Sequence, residues 1–282
     1  MSDHLPGQLA DWIGRTSRSQ DVVTERLDAS FRAVLAPYFA PVSDGQVPLG
    51  LHWCLCPAIA EMTELGSDGH PAKNRDLPPV PLPRRMWAGG MIETFDALRV
   101  GDAVTRISTI SDVTHKQGRS GELWFVTVTH QYETVRGIAI RDRQDIVYRG
   151  AADQSPAKAS APIAPPSPSP SNRHWTMQTS PVLLFRYSAI TFNGHRIHYD
   201  HPYATGVEGY DGLVVHGPMQ ATLLLNLAAV ETGRTPQRFS YRGVAPAIAG
   251  AELMVCRDAN NAQDYWTESD GKLHMKAKAE LS

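Results

Sequence analysis

No apolar run in the 282 residues approaches the roughly 18–20 needed to cross a bilayer. Met1 to Gln8 lacks a basic stretch leading into an apolar core, so no secretory signal is expected either. Cysteine is scarce: Cys54, Cys56 and Cys256 are an odd set without framework spacing, which predicts reduced thiols in a cytoplasmic setting. Cys54-x-Cys56 has no second ligand pair at a useful distance, and a tetrahedral structural metal needs four ligands. A basic surplus is missing too. The 27 Lys and Arg face 29 Asp and Glu, for a net charge of -2 and a pI of about 6.6. That balance excludes the concentrated basic face of a nucleic-acid or membrane-surface binder, while leaving room for a local cationic patch toward a phosphate-bearing ligand.

What is present suffices for a packed core: 42% of residues are hydrophobic and 20% charged. The plainest boundary is residues 151–172, where Pro156, Pro162, Pro165, Pro166, Pro168 and Pro170 stand among Ala and Ser. Such a segment has few backbone donors and little apolar surface to bury, and it reads as a linker. It separates a first domain, residues 1–150, from a second, residues 173–282.

In the first half, Thr24 as N-cap with Leu27, Phe31, Val34 and Leu35 on one side predicts a helix to Leu35. A Pro- and Gly-rich loop is expected from Gly66 to Gly90. Strands are then expected at Met91–Leu98, Ala103–Val113, Leu123–Val135 and Ile138–Tyr148, with Gly-containing turns between the later ones. His52 and Trp53 are expected in the sheet. The second half is read as a strand at Val182–Ser188, then an irregular polar stretch to about Gly217. A helix from Pro218 to Thr232 follows, apolar all round and therefore buried, with Gly233 suited to end it. Strands resume at Phe239–Val244, Ala251–Arg257, Asp264–Glu268 and Leu273–Glu280. The class is α+β, with a sheet wrapped around a central helix.

Chemistry concentrates between Tyr187 and Asp200, where His195 and His198, with His201 just beyond, stand among Phe192, Ile197 and Tyr199. That many ionisable groups beside apolar ones suits an active or binding site better than core or solvated loop. The stretch resembles the hydratase motif of the MaoC-like, (R)-specific enoyl-CoA hydratase group. The motif positions fall on Asn193, His198, Asp200 and Ala204, and Leu213 to Met219 is similar to that group's His-Gly approach to its central helix. In the first half, Trp12-Ile13-Gly14-Arg15, Asp68-Gly69-His70-Pro71 and Pro81 to Gly90 resemble mesaconyl-C4-CoA and itaconyl-CoA hydratases and the related 3-hydroxyacyl-thioester dehydratases. Two departures stand out: Asn193 replaces the wider group's Asp, and Arg196 its Pro.

The resemblance implies a double hot-dog fold, a pseudo-dimeric chain whose two sheets continue into one another, and one active site from the second half roofed by the first. It implies reversible hydration of a C5-dicarboxylic enoyl-CoA to a citramalyl-CoA. Hydration needs a base for water, a proton for the α-carbon and donors for an enolate-like oxygen. His198 is the candidate base, because imidazole titrates near neutral pH. Asn193, unable to take a proton, would orient water or substrate. Asp200 would polarise His198 or point away. Gly217, an amide at a helix N-terminus, suits the thioester oxygen, although it could simply permit a tight turn. His216 is expected to pack. Arg196 could bind a free carboxylate bidentately, with Tyr187 adding a hydrogen bond. Arg84 and Arg85 are candidates for CoA phosphates or that carboxylate, or else a solvated basic pair. Water, a base and a donor suffice, so no metal or redox cofactor is implied, and CoA enters as part of the substrate. The rival readings are a 3-hydroxyacyl-thioester dehydratase of fatty-acid synthesis, a hot-dog thioesterase, and an inactive acyl-CoA-binding subunit.

Overall fold

The computed structural model describes residues 7–118, 121–151 and 174–281. Apart from Ala151, the linker expected over residues 151–172 lies outside them. In chain order the first half contains α1 (Gly7–Ala10), β1 (Thr16–Val22), α2 (Glu25–Leu35), β2 (Arg84–Thr94), β3 (Ala103–Gly118), β4 (Gly121–Thr134) and β5 (Gly137–Arg149). The second contains β6 (His174–Gln178), α3 (Pro181–Thr191), α4 (His201–Gly206), α5 (Gly217–Thr232), β7 (Arg238–Gly243), β8 (Glu252–Arg257), β9 (Asp264–Ser269) and β10 (Lys272–Glu280).

The ten strands among the described residues form one sheet, ordered β1-β3-β4-β5-β2-β7-β10-β9-β8-β6. The five first-half strands lie on one side and the five second-half strands on the other. The halves join where β2 pairs antiparallel with β7, from Gly89↔Arg242 to Glu93↔Arg238. The sheets therefore continue into one another, as expected for a pseudo-dimer. Tyr241 reinforces this seam: its hydroxyl crosses from β7 to Asp142 Oδ1 on β5, 3.4 Å away.

Helix α2 forms for local reasons: Thr24 Oγ1 accepts from Leu27 N at 3.1 Å, and Arg32 pairs with Asp28 one turn earlier. Helix α5 is buried from Met219 through Ala229 and closes at Gly233 in the left-handed region. One core cluster takes Phe31 and Leu35 from α2, Leu184 from α3, Leu223 and Leu227 from α5, and Tyr132 and Phe239 from the sheet. Both halves therefore contribute to one core, in which each fully buried large side chain stabilises the fold by about 1.5–3 kcal/mol. A second cluster sets Leu9 of α1, Trp12 just after it, and Val80 of the Pro-rich loop against Trp124 and Tyr148.

Several sequence expectations are corrected. Val182–Ser188 is not a strand but the heart of α3. Ser180 Oγ accepts from Leu183 N at 3.2 Å and Pro181 opens the first turn. Leu184, Tyr187 and Ser188 are buried while Val182 and Phe185 are exposed, a helical spacing. Strand β2 begins at Arg84, so Arg84 and Arg85 stand on a strand rather than in the Pro-rich loop. His52 and Trp53 lie in a single 3-10 turn, Leu51–Cys54, not in the sheet.

Candidate active site

The polar stretch after α3 is folded around a reversal at Phe192, whose φ of 51° ends the helix. Asn193 Oδ1 then accepts from His195 N at 2.9 Å, and its Nδ2–H donors have no partner among the described residues. A 3-10 turn, Arg196–His198, brings His198 into the interior. His198 Nδ1 lies 2.7 Å from Val214 O. A carbonyl only accepts, so Nδ1 carries the proton and Nε2 is left with a lone pair. Burial pushes the His198 pKa down to about 4, opposed by the hydrogen bond to Val214. The ring is therefore a neutral base at physiological pH.

His198 stacks on His216, with ring centroids 3.6 Å apart. His216 is fully buried, bonded through Nε2 to Ser188 Oγ at 2.9 Å, and driven well below the usual imidazole pKa by burial. It supports His198, in keeping with the packing role expected of it. Immediately after His216, Gly217 opens α5. The first amides of a helix lack intrahelical acceptors and present the positive end of its dipole. A Cβ at Gly217 would lie 2.6 Å from Trp87 Cε3, so the indole packs onto the glycine itself. Trp87 is held by stacking on Tyr241 at 4.5 Å and by the edge of Trp53 at 5.8 Å. Gly217→Ala should therefore cost about 1–3 kcal/mol of stability through overpacking and lower turnover at least tenfold. Denaturant unfolding beside steady-state rates checks this, and an unchanged protein would show that Trp87 yields freely.

The first half reaches this site through the turn at Asp68-Gly69-His70. Arg196 N donates to Asp68 O at 2.9 Å and Arg196 Nη1 to Ser67 O at 3.0 Å. Gly69 has a φ of 86°, and a Cβ there would stand 2.0 Å from Gly194 O; only glycine fits. His70 lies against His195, centroids 4.2 Å apart, and His195 meets the edge of His198 at 5.6 Å. Burial, with smaller help from His198, lowers the His195 pKa to about 3. Asp68 Oδ2 sits 3.0 Å from His70 Nδ1 and 3.3 Å from Arg85 Nε. Asp68, His70 and His195 offer ligand atoms within 4.8 Å of one another. The adjoining guanidinium of Arg85 opposes a second cation there.

Other sequence candidates are placed differently from expectation. The guanidinium of Arg196 is engaged: it pairs with Asp200 Oδ2 at 2.9 and 2.7 Å and lies 4.1 Å over the Tyr203 ring. It is not a free carboxylate receptor. Asp200 caps α4 through Tyr203 N at 3.1 Å and is held below the usual carboxylate range by Arg196, so it points away from His198. Arg84 is bound to Glu208 Oε2 and to the Glu208 carbonyl, both at 2.6 Å. Tyr187 lies behind His216 at 4.9 Å with its hydroxyl sealed from solvent, a wall rather than a donor to substrate. His198, Asn193, Gly217 and Arg85 line one groove with His195, which the sequence placed in the site stretch without a role, and His70, which it did not single out. The signal for His70 was the Asp68-Gly69-His70-Pro71 motif itself.

Two antiparallel half-sheets packed on buried helices and joined edge to edge define a double hot-dog protein. Solved structures share it: a MaoC-like dehydratase at TM-score 0.70 and 15% identity, covering 97% of this chain and 100% of that one. A Mycobacterium tuberculosis protein with a double hot-dog fold matches at 0.54 and 13%, covering 95% of this chain and 96% of its own. Residues 50–249 match the hydroxyacyl-thioester dehydratase type 2 family. The mesaconyl-C4-CoA hydratase of Chloroflexus aurantiacus is 44% identical over 274 residues, 96% of either chain. The chain belongs to the hydroxyacyl-thioester dehydratase type 2 family. Among the described residues no helix is long and apolar enough to cross a membrane.

Proposed function

We propose that the chain is a hydro-lyase that reversibly adds water to a C5-dicarboxylic enoyl-CoA, mesaconyl-C4-CoA or itaconyl-CoA, giving a citramalyl-CoA. The observation that carries the reading is His198, a buried neutral imidazole whose Nδ1–H is fixed on Val214 O and whose Nε2 is open beside the N-terminus of α5. The 44% identity to a mesaconyl-C4-CoA hydratase supports the substrate class. With mesaconyl-C4-CoA, whose double bond is conjugated with the thioester, Nε2 takes one proton from water as the oxygen adds to the β-carbon. Charge moves onto the thioester oxygen, where the Gly217 amide and the helix dipole stabilise it. The imidazolium then returns its proton to the α-carbon, so water is added in full and the base is restored. Asn193 turns an Nδ2–H toward the water oxygen and orients it. Every group in this sequence belongs to the chain, with CoA entering as part of the substrate. The cysteines are unpaired and buried, which fits a cytoplasmic setting.

A second reading, dehydration of 3-hydroxyacyl thioesters, is favoured by the family description and runs the same chemistry backwards. Incubation with itaconyl-CoA, mesaconyl-C4-CoA and crotonyl-CoA, followed by the mass gain of one water and the loss of enoyl-thioester absorbance, separates the two. Turnover confined to the dicarboxylic thioesters is expected. Turnover of crotonyl-CoA alone would move the function to fatty-acyl chemistry. Binding without turnover would make the chain an acyl-CoA-binding subunit.

A further inference from the structure

We propose that His70, His195 and Arg85 form the receptor for the free carboxylate of the substrate. This rests on the hydratase reading above. In a citramalyl thioester the new hydroxyl and the free carboxylate sit on the same carbon. The receptor must therefore start within one hydrogen bond of the place where the base holds its water. That condition is strict, and it selects among the cationic groups. Arg196 is tied to Asp200, Ser67 and the Tyr203 face, and Arg84 to Glu208. His195 stands next to His198, 5.6 Å between centroids, with His70 4.2 Å beyond it. Arg85 Nε is 3.1 Å from His70 Nδ1.

The donors left open fit an anion. Neither ring nitrogen of His195 has a hydrogen-bond partner among the described residues, and His70, whose Nδ1 accepts from Arg85 Nε at 3.1 Å, keeps Nε2–H as a donor. Asp68 braces the group, accepting from His70 N at 3.0 Å and facing Arg85 at 3.3 Å. Arg85 offsets the charge of Asp68 and gives Nη2 to Pro71 O at 3.2 Å, but its Nη1 has no hydrogen-bond partner among the described residues, so a substrate carboxylate is met by that guanidinium N–H and the two imidazoles. The same crowding explains why the first half contributes the Asp68–His70 turn at all: it closes the side of the site that a monocarboxylic acyl group would leave empty. A crotonyl group places only a methyl there, against polar edges that lose water without gaining a partner.

The test uses the full chain and unreactive saturated thioesters, so that binding is read apart from chemistry. Calorimetry compares methylsuccinyl-CoA, linked through the carboxyl remote from its methyl group, with butyryl-CoA and with free CoA. The wild-type protein should prefer the dicarboxylic thioester. His195→Gln, His70→Asn and Arg85→Gln should each reduce that preference about 10- to 100-fold, the scale of one charged hydrogen bond. Arg85→Lys, which keeps the charge, should lose less than Arg85→Gln, and circular dichroism confirms folding. An unchanged preference in all three variants would overturn the assignment. So would an equal loss for both thioesters and for CoA, which would place Arg85 on the phosphates. Absence of any wild-type preference sinks the receptor whatever the turnover. A preserved preference in a protein without turnover sinks only the hydratase reading.

Discussion

Replacing His198 by alanine is expected to lower kcat/KM for the dicarboxylic thioester about a thousand-fold, the middle of the range for a lost general base. The loss should fall on kcat, because His198 touches the water rather than the acyl carboxylate. His198→Gln controls for the space the ring leaves against His216, and should be as inactive while unfolding closer to wild type. A loss below tenfold would remove His198 from the chemistry. The rate should also show no limb near pH 6.5, where an ordinary imidazole titrates, because burial holds His198 near 4. A limb at 6–7 would mean that the site is hydrated in solution and the base is not the enclosed one described.

The second large effect is on stability. His52, His130 and His195 are lowered to about 3, and His198 and His274 to about 4. His216 is also lowered, and burial is the leading cause in all six. In the unfolded chain they titrate near 6.5. Between those values the unfolded state binds protons that the folded state refuses, so stability is lost as pH falls below 6.5. Asp142 acts in the opposite sense. Burial raises it to about 6, above its unfolded value, so the folded state takes up one proton as pH falls and offsets one histidine. The net is up to about five protons, each worth roughly 1.4 kcal/mol per pH unit. A domain with about 5–15 kcal/mol of stability then unfolds within one to two pH units, near pH 5. Guanidinium midpoints at pH 7.5, 6.5 and 5.5 should fall steeply. A constant midpoint down to pH 5 would contradict this account.

Sequence reading captured the elements whose signals are strong and local. Thr24 with an apolar stripe marked α2, the all-apolar run after Pro218 marked α5, and alternation marked the long strands. It missed β1 because Thr16–Val22 is polar and mostly exposed, an edge strand that needs no apolar face. It misread α3 because a short apolar run fits strand and helix alike, and Ser180 and Pro181, which decide the matter, lie just before it. Within the site, the cluster of titratable residues from Tyr187 to Asp200 stood out by composition, while Asn193, His198 and Gly217 were picked out by the resemblance to the hydratase motif. The pairing of Arg196 with Asp200 one turn later was not legible, because the segment was read as irregular, and an irregular stretch gives no rule by which residues four apart meet. The approach of His70 to His195 was invisible for a different reason. It depends on the two halves sharing a core, and no spacing along the chain encodes that.

The seam between β2 and β7 has a consequence for how such a site can change. In a symmetric pair of identical chains, any residue placed opposite a catalytic loop is placed opposite its twin as well, so every refinement is made twice and must be tolerated twice. Here Asp68, His70 and Arg85 come from one half and His195, His198 and Gly217 from the other. Each half is free to vary without its counterpart following. Two unlike walls can thus meet around one cluster of histidines, each shaped by its own half.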